Sequence, residues 1–213
     1  MPIEAILACQ AGLITRAQAV AAGVPARVVD ERVRRRCWAP VLPRVYRARP
    51  DLADEAELRV RAAMLWAGAD VVLTGLAAAW WHGFVGQLPQ VVTVAVPRRR
   101  RPLHRPGLTL LSRTCDPADL TDHRGLLVTA GPLTLLDAAV ELGSAGAALL
   151  DSGLRSGVLI TDLLAAQRRT SGAPGATSAA LHLRDLQHKW SADLRPIGPG
   201  RMISGGGSFP VSA

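Results

Sequence analysis

Glycine and proline cut the first 48 residues into pieces too short for a long helix or a broad strand. "IEAILACQAG" and "TRAQAVAAG" each end in glycine, at Gly12 and Gly23. That residue suits the left-handed turn that closes a helix. Thr15 opens the second piece and offers its hydroxyl to a free backbone N–H of the first turn. Pro25 then stands where proline is best tolerated, in a first helical turn, and starts a third helix expected to run to about Arg35. "CWAPVLPRVYRA" follows, and its prolines would interrupt a helix or a central strand but fit an edge hairpin.

Charge concentrates in the same region. Residues 1–50 hold nine arginines against Glu4, Asp30 and Glu31, so most of the formal net charge of +8 sits in the first quarter of the chain. Such an excess implies an acidic partner, most commonly nucleic acid. On a helical wheel Val29 and Val33 share a buried side, Val28 lies at its edge, and Arg27 and Arg34 point the opposite way. This is the layout of a recognition helix, apolar inside and arginine-bearing outside. Arg27 and Arg34 are candidates for guanine edges, where a guanidinium fork fits O6 and N7. Arg35 and Arg36 are better placed for phosphates, which fix register without reading sequence. In the hairpin, Trp38 and Tyr46 are expected to pack the wing onto the helices while Arg44 and Arg47 meet phosphates. The competing reading is a solvated helix face with Arg27/Glu31 and Asp30/Arg34 as weak i,i+4 pairs. The order of elements, more than the charge, predicts a winged helix-turn-helix over residues 1–48.

Residues 49–53, "RPDLA", read as a linker, and a second unit is expected over 54–190. A helix should begin near Asp54. "DVVLTG", "QVVTVAVP", "GLTLLSR" and "LLVTAG" read as strands, and "LAAAWWHGF", "PLTLLDAAVEL", "SAGAALLDSGLRSG" and "ITDLLAAQRRT" as helices, with Pro132 and Thr161 as start signals. "ATSAALHLRDLQHKW" reads as a further helix. The pattern predicts an α+β fold class, a sheet with helices on one face, and disorder in the Gly/Pro/Ser-rich tail over 191–213. The apolar stretch 62–86 is broken by Asp70 and three glycines, which argues for a soluble core rather than a membrane span. Three widely spaced cysteines predict reduced thiols, and Glu4 in the opening residues argues against a signal peptide, so the expectation is a cytoplasmic protein.

"LITRAQAVAAGVPARVVDERVRRRCWAPVLPRVYRA" resembles the N-terminal winged helix of the AbiEi-type antitoxin family. "DVVLTGLAAAWWHGF", "VVTVAVPRRRR", "GLLVTAGPLTLLDAAVEL" and "LLDSGLRSGVLITDLLAA" follow in the order of that family's α+β region, so the likeness covers about residues 10–170. The resemblance implies a type IV toxin–antitoxin antitoxin that binds inverted repeats in its own promoter as double-stranded DNA and represses the cassette. It also implies a nucleotidyltransferase-like toxin countered without a stable complex. By position, DNA contact would fall on Arg27, Arg34, Arg35, Arg36, Arg44 and Arg47. The chain departs from the family in placing Val24 where a small polar cap precedes the recognition helix. Many relatives continue into an endonuclease-like domain, which "GPGRMISGGGSFPVSA" does not resemble, and "DLQHK" gives Asp185 and Lys189 without an acidic partner two residues before the lysine, so that activity is not expected. A naturally short family member or a truncated gene product is therefore expected, acting as a homodimer or as two monomers bound cooperatively.

Other signals carry little chemistry. "PRRRRPLHRPG", 97–107, is a second basic cluster, read as a solvated loop in preference to a nucleic-acid contact. His82 has no Cys or carboxylate at metal spacing, and His182 and His188 do not share a helix face. Ser144 and Ser152 lack a nucleophile elbow, and a single lysine outside a Gly-rich loop removes the P-loop reading. No enzyme activity, metal or cofactor is expected. The alternative function is a non-catalytic regulatory remnant of an endonuclease-related, nucleic-acid-binding protein.

Overall fold

The computed structural model describes residues 1–50, 54–97 and 103–193. Its N-terminal part contains α1 (Ile3–Cys9), β1 (Leu13–Thr15), α2 (Arg16–Ala21), α3 (Ala26–Arg34), β2 (Ala39–Leu42) and β3 (Val45–Arg47). Thr15 caps α2 as expected: its Oγ1 accepts from Gln18 N at 3.1 Å while Gln18 Oε1 accepts from Thr15 N at 2.9 Å. Both orphan donors are thus satisfied reciprocally, as a capping box requires. Pro25 lies one position outside α3 and its carbonyl accepts from Val28 and Val29 N.

β1 carries no signal in the sequence. Three residues are too few for alternation to register, yet β1 pairs antiparallel with β3, which pairs antiparallel with β2. Gly12 sets up this pairing. At φ +78° it turns the chain out of α1, and a Cβ there would collide with the Arg49 carbonyl.

The small sheet is buried on both sides, and the alternation of its strands assigns each residue a face. Ile14 and Tyr46 face α1, α2 and α3, where they join Ile6, Leu7, Ala19, Val29 and Trp38 in one core. Leu13 and Val45 face the other way, onto Leu58 and Ala62 of α4 (Glu55–Ala67). Asp54 caps α4 by accepting from Glu57 N at 2.7 Å. Val60, Ala63, Met64 and Ala67 of α4 belong to the main core. One helix therefore packs against the small sheet and into the main core, and fixes the two parts of the chain to each other.

The second part continues as β4 (Val72–Thr74), α5 (Gly75–His82), β5 (Val92–Val96), β6 (Leu103–Arg105), β7 (Leu108–Ser112), β8 (Leu120–His123), β9 (Leu126–Thr129), α6 (Gly131–Leu142), α7 (Gly146–Arg155), α8 (Ile160–Arg169) and α9 (Ala176–Asp193). Six strands form a mixed sheet in the order β6-β7-β5-β4-β9-β8. β5 pairs parallel with β7 and β4 with β9, while the remaining pairs are antiparallel. The α+β class holds, but the helices take up both faces. Val92, Val94, Val96, Leu108 and Leu110 pack with α4 and α5. Thr74, Thr93, Leu111 and Arg113 point to the opposite side, towards α6 and the α8–α9 connection. Leu133, Leu136, Leu150, Leu163 and Leu183 build a further core among the helices.

One boundary moves: α9 reaches Asp193, so the tail expected from 191 begins inside a helix. α8 starts at Ile160, where the helical reading of "ITDLLAAQRRT" begins, but its N-cap is Leu159, not Thr161. The rest of that tail, most of the "RPDLA" linker and the run 98–102 lie outside the described residues. The stretch 62–86 divides into the end of α4, β4 and α5, as expected for a folded core. The segment Gly131–Arg155 is long and apolar enough by composition to cross a bilayer. It is divided into α6 and α7 at Gly143, which has φ +58°, and half of its apolar window is buried in the fold.

Candidate nucleic-acid interface

Helix α3 buries Val29 completely and half-buries Val28 and Val33, leaving Arg27, Arg34 and Arg35 exposed. The valine side and the arginine side fall where helical periodicity places them. Beyond the helix end, Arg36 sits at φ +60° and Arg44 at φ +64°, both exposed, the latter in the turn between β2 and β3. The Arg44 carbonyl accepts from Arg16 N at 2.9 Å, tying this turn to the start of α2. Among the described residues Arg27, Arg36 and Arg44 have no ion-pair or hydrogen-bond partner for their guanidinium groups.

The acidic residues of α3 take other partners than the two i,i+4 pairs expected. Asp30 accepts a fork from Arg16 of α2, with Nη2 to Oδ2 at 2.9 Å. These hydrogen bonds, and then the Asp30 charge, hold the Arg16 guanidinium more firmly protonated than usual. Glu31 instead takes two arginines, Arg34 on Oε2 and Arg35 on Oε1. Neither Arg27/Glu31 nor Asp30/Arg34 forms. Spacing allowed several pairings here, and rotamers selected among them.

Trp38 and Tyr46 pack against each other at 6.0 Å between ring centroids, in the core beneath α3. Arg32 stacks on Trp38 at 5.0 Å, which removes it from the exposed set. Arg47 departs from the other five expected residues. Its Nη2 donates to the Pro50 carbonyl at 2.7 Å and its Nη1 lies 3.4 Å from Glu55 at the start of α4. It clamps the junction with α4 instead of sharing the surface of Arg27, Arg34, Arg35, Arg36 and Arg44. Arg16 and Arg32, which organise that surface from behind, were not singled out in the sequence.

A second polar constellation lies in the mixed sheet. A cavity of about 100 Å³ is bordered by Thr74, Thr93, Arg113, Asp137, Glu141 and Gln167. Arg113 is buried and forks onto Asp137, and its Nη2 also donates to Thr74 Oγ1 at 3.1 Å. Burial opposes the Arg113 charge, but the hydrogen bonds and charge of Asp137 outweigh it and raise its pKa. Glu141 accepts from Leu76 N at 3.0 Å at the start of α5. In the second basic cluster, Arg105 stacks on Trp66 at 5.1 Å. Among the described residues no group of three or more His, Cys, Asp or Glu side chains is placed to hold a metal ion. The three cysteines are free.

Fold and surface together define a two-part α+β protein with an arginine-bearing N-terminal helix. A family model described as the AbiEi antitoxin C-terminal domain matches residues 71–185, and the chain belongs to this family. That places it among the antitoxins of toxin–antitoxin systems, with a toxin as the functional partner. No curated protein matches the chain. Among solved structures it is similar to the RV2827C protein from Mycobacterium tuberculosis, at 18% identity and a TM-score of 0.54 over 85% of this chain and 74% of that one. At that identity the likeness concerns the fold alone.

Proposed function

We propose that residues 1–48 act as a winged helix-turn-helix that binds double-stranded DNA at inverted repeats in the promoter of the chain's own toxin–antitoxin cassette and represses it. In this reading α3 enters the major groove, the β2–β3 hairpin follows the backbone, and residues 54–190 form the antitoxin domain. Arg27 and Arg34 read base edges. Arg35, Arg36 and Arg44 hold phosphates. The functional partner is a nucleotidyltransferase-like toxin countered without a stable complex, and two copies of the chain occupy one palindrome in the cytoplasm.

The observation that carries this reading is the set of five exposed arginines on α3 and the adjacent turns, backed by a completely buried Val29. A face built only for solubility has no need of the Trp38–Tyr46 packing that seats a hairpin beside that helix. Mobility-shift titration with the upstream promoter duplex tests it. Saturable binding that survives competition by unrelated duplex is expected. Binding that any duplex competes away equally would favour a non-specific nucleic-acid role, and absence of binding at low salt would remove DNA from the account.

A further inference from the structure

We propose that Glu31 is a specificity filter within this interface, an inference that rests on the DNA-binding reading above. Its carboxylate bridges two guanidinium groups, one oxygen to Arg34 and the other to Arg35. The side chains of those arginines are 76% and 72% exposed, whereas that of Glu31 is 32% exposed. The carboxylate therefore lies closer to the helix than the heads it holds. The neighbouring Asp30 has a different task, since Arg16 ties it to α2. Glu31 makes no such tie to another element among the described residues.

Exposed pairs of this kind contribute little to folding, but their position on α3 affects what happens when a duplex approaches. Phosphates compete with Glu31 for both guanidinium groups. On a non-cognate sequence the contest leaves a bare carboxylate facing a polyanion, so each arginine gained is offset by an acid left unpartnered. On a cognate sequence a cytosine at the groove floor presents its N4 amino group, a donor suited to Glu or Asp. Arg34 then moves to a guanine edge and Glu31 exchanges one donor for another. The acid thus penalises wrong sequences more than right ones, a use of repulsion to obtain specificity.

The test compares wild type with Glu31→Gln, which keeps shape and removes charge, on the promoter duplex and on a scrambled duplex of equal length and composition. Affinity for the scrambled duplex should tighten about tenfold, the scale of two added phosphate contacts, while promoter affinity should fail to tighten or should fall, because the variant loses the charged acceptor for the cytosine amino group. The slope of log K against log salt on scrambled DNA should steepen by roughly 0.9 for each arginine released. Adding Glu31→Gln to an Arg34→Gln, Arg35→Gln background should leave the slope unchanged, because no guanidinium remains to be freed. Equal shifts on both duplexes, or an unchanged slope in the single variant, would overturn the filter while leaving DNA binding intact. Wild-type protein that binds neither duplex at low salt would instead refute the DNA-binding reading. Thermal unfolding of the variant confirms that it is folded.

Discussion

The guanidinium of Arg113 grips the carboxylate of Asp137 through two parallel hydrogen bonds, Nη1 to Oδ1 at 2.9 Å and Nη2 to Oδ2 at 2.5 Å. Arg113 follows β7 and Asp137 lies within α6, so this pair joins the sheet to the helical layer. Thr74, at the end of β4, adds a second strand end by donating from Oγ1 to Asp137 Oδ2 at 2.6 Å. The Arg113 side chain is 5% exposed and that of Asp137 20% exposed, so water does little to replace either partner.

Removing one member should therefore cost more than the pair itself is worth. Asp137→Ala is expected to destabilise the protein by about 3 kcal/mol, because it leaves a buried guanidinium uncompensated. Replacing both residues, as Arg113→Met with Asp137→Leu, should be milder than the single change. Urea unfolding of the two variants beside the wild type measures this. A double variant at least as unstable as Asp137→Ala would mean that the pair stabilises by more than mutual neutralisation.

Trp38 ties the β2–β3 hairpin to α3 by packing on Tyr46 and lying under Arg32. Trp38→Ala is expected to cost about 3–5 kcal/mol through lost burial and the cavity left behind. Trp38→Phe should recover much of that loss. Denaturant unfolding reads the stability, and a loss below about 1 kcal/mol for the alanine variant would show that the hairpin is held by other contacts.

Periodicity made α3 legible, because Val29 and Val33 alternate with arginines over two turns. The alternation of β3 likewise encodes the place of Arg47. In β3, Val45 and Arg47 share a face, and Val45 packs on α4, so Arg47 reaches Glu55 and not the outer surface. β1 and β6 are three residues long and β8 only four, too short to announce themselves by alternation. The Arg113–Asp137 pair depends on the order in which six strands assemble, which no local pattern contains. Glu31 was visible as an acid on a basic helix, but its spacing to Arg27, Arg34 and Arg35 permitted several partners.

Arg44 separates backbone geometry from charge. It occupies the left-handed region at φ +64°, where a side chain costs about 1 kcal/mol and glycine does not. Arg44→Gly should therefore keep the turn and leave stability equal or raised by up to about 1 kcal/mol. In the proposed complex it removes one phosphate contact, so affinity should fall alike on all sequences and the salt slope should become shallower by about 0.9. Unfolding curves and salt-dependent titrations check the two halves independently. A sequence-dependent loss of affinity would reassign Arg44 from phosphate to base.

His82 gives the fold a pH dependence. Its Nε2 lies 2.8 Å from the Thr129 carbonyl, so that nitrogen carries the proton and donates it, and its ring stacks on His123 at 4.9 Å. Burial lowers its pKa from the ordinary 6.5; the Thr129 hydrogen bond works against this, and the charge of His123 adds to the lowering. A histidine depressed in the folded state takes up its proton earlier in the unfolded chain. Stability is then full above the ordinary value and declines as pH falls from there towards the lower folded value. Urea midpoints measured from about pH 8 to about pH 5 should drop on the acid side, and the drop should shrink in His82→Gln, which has no proton to bind in that range. If both proteins lose stability with the same slope, the acid sensitivity arises elsewhere and the stacked pair is only a packing contact.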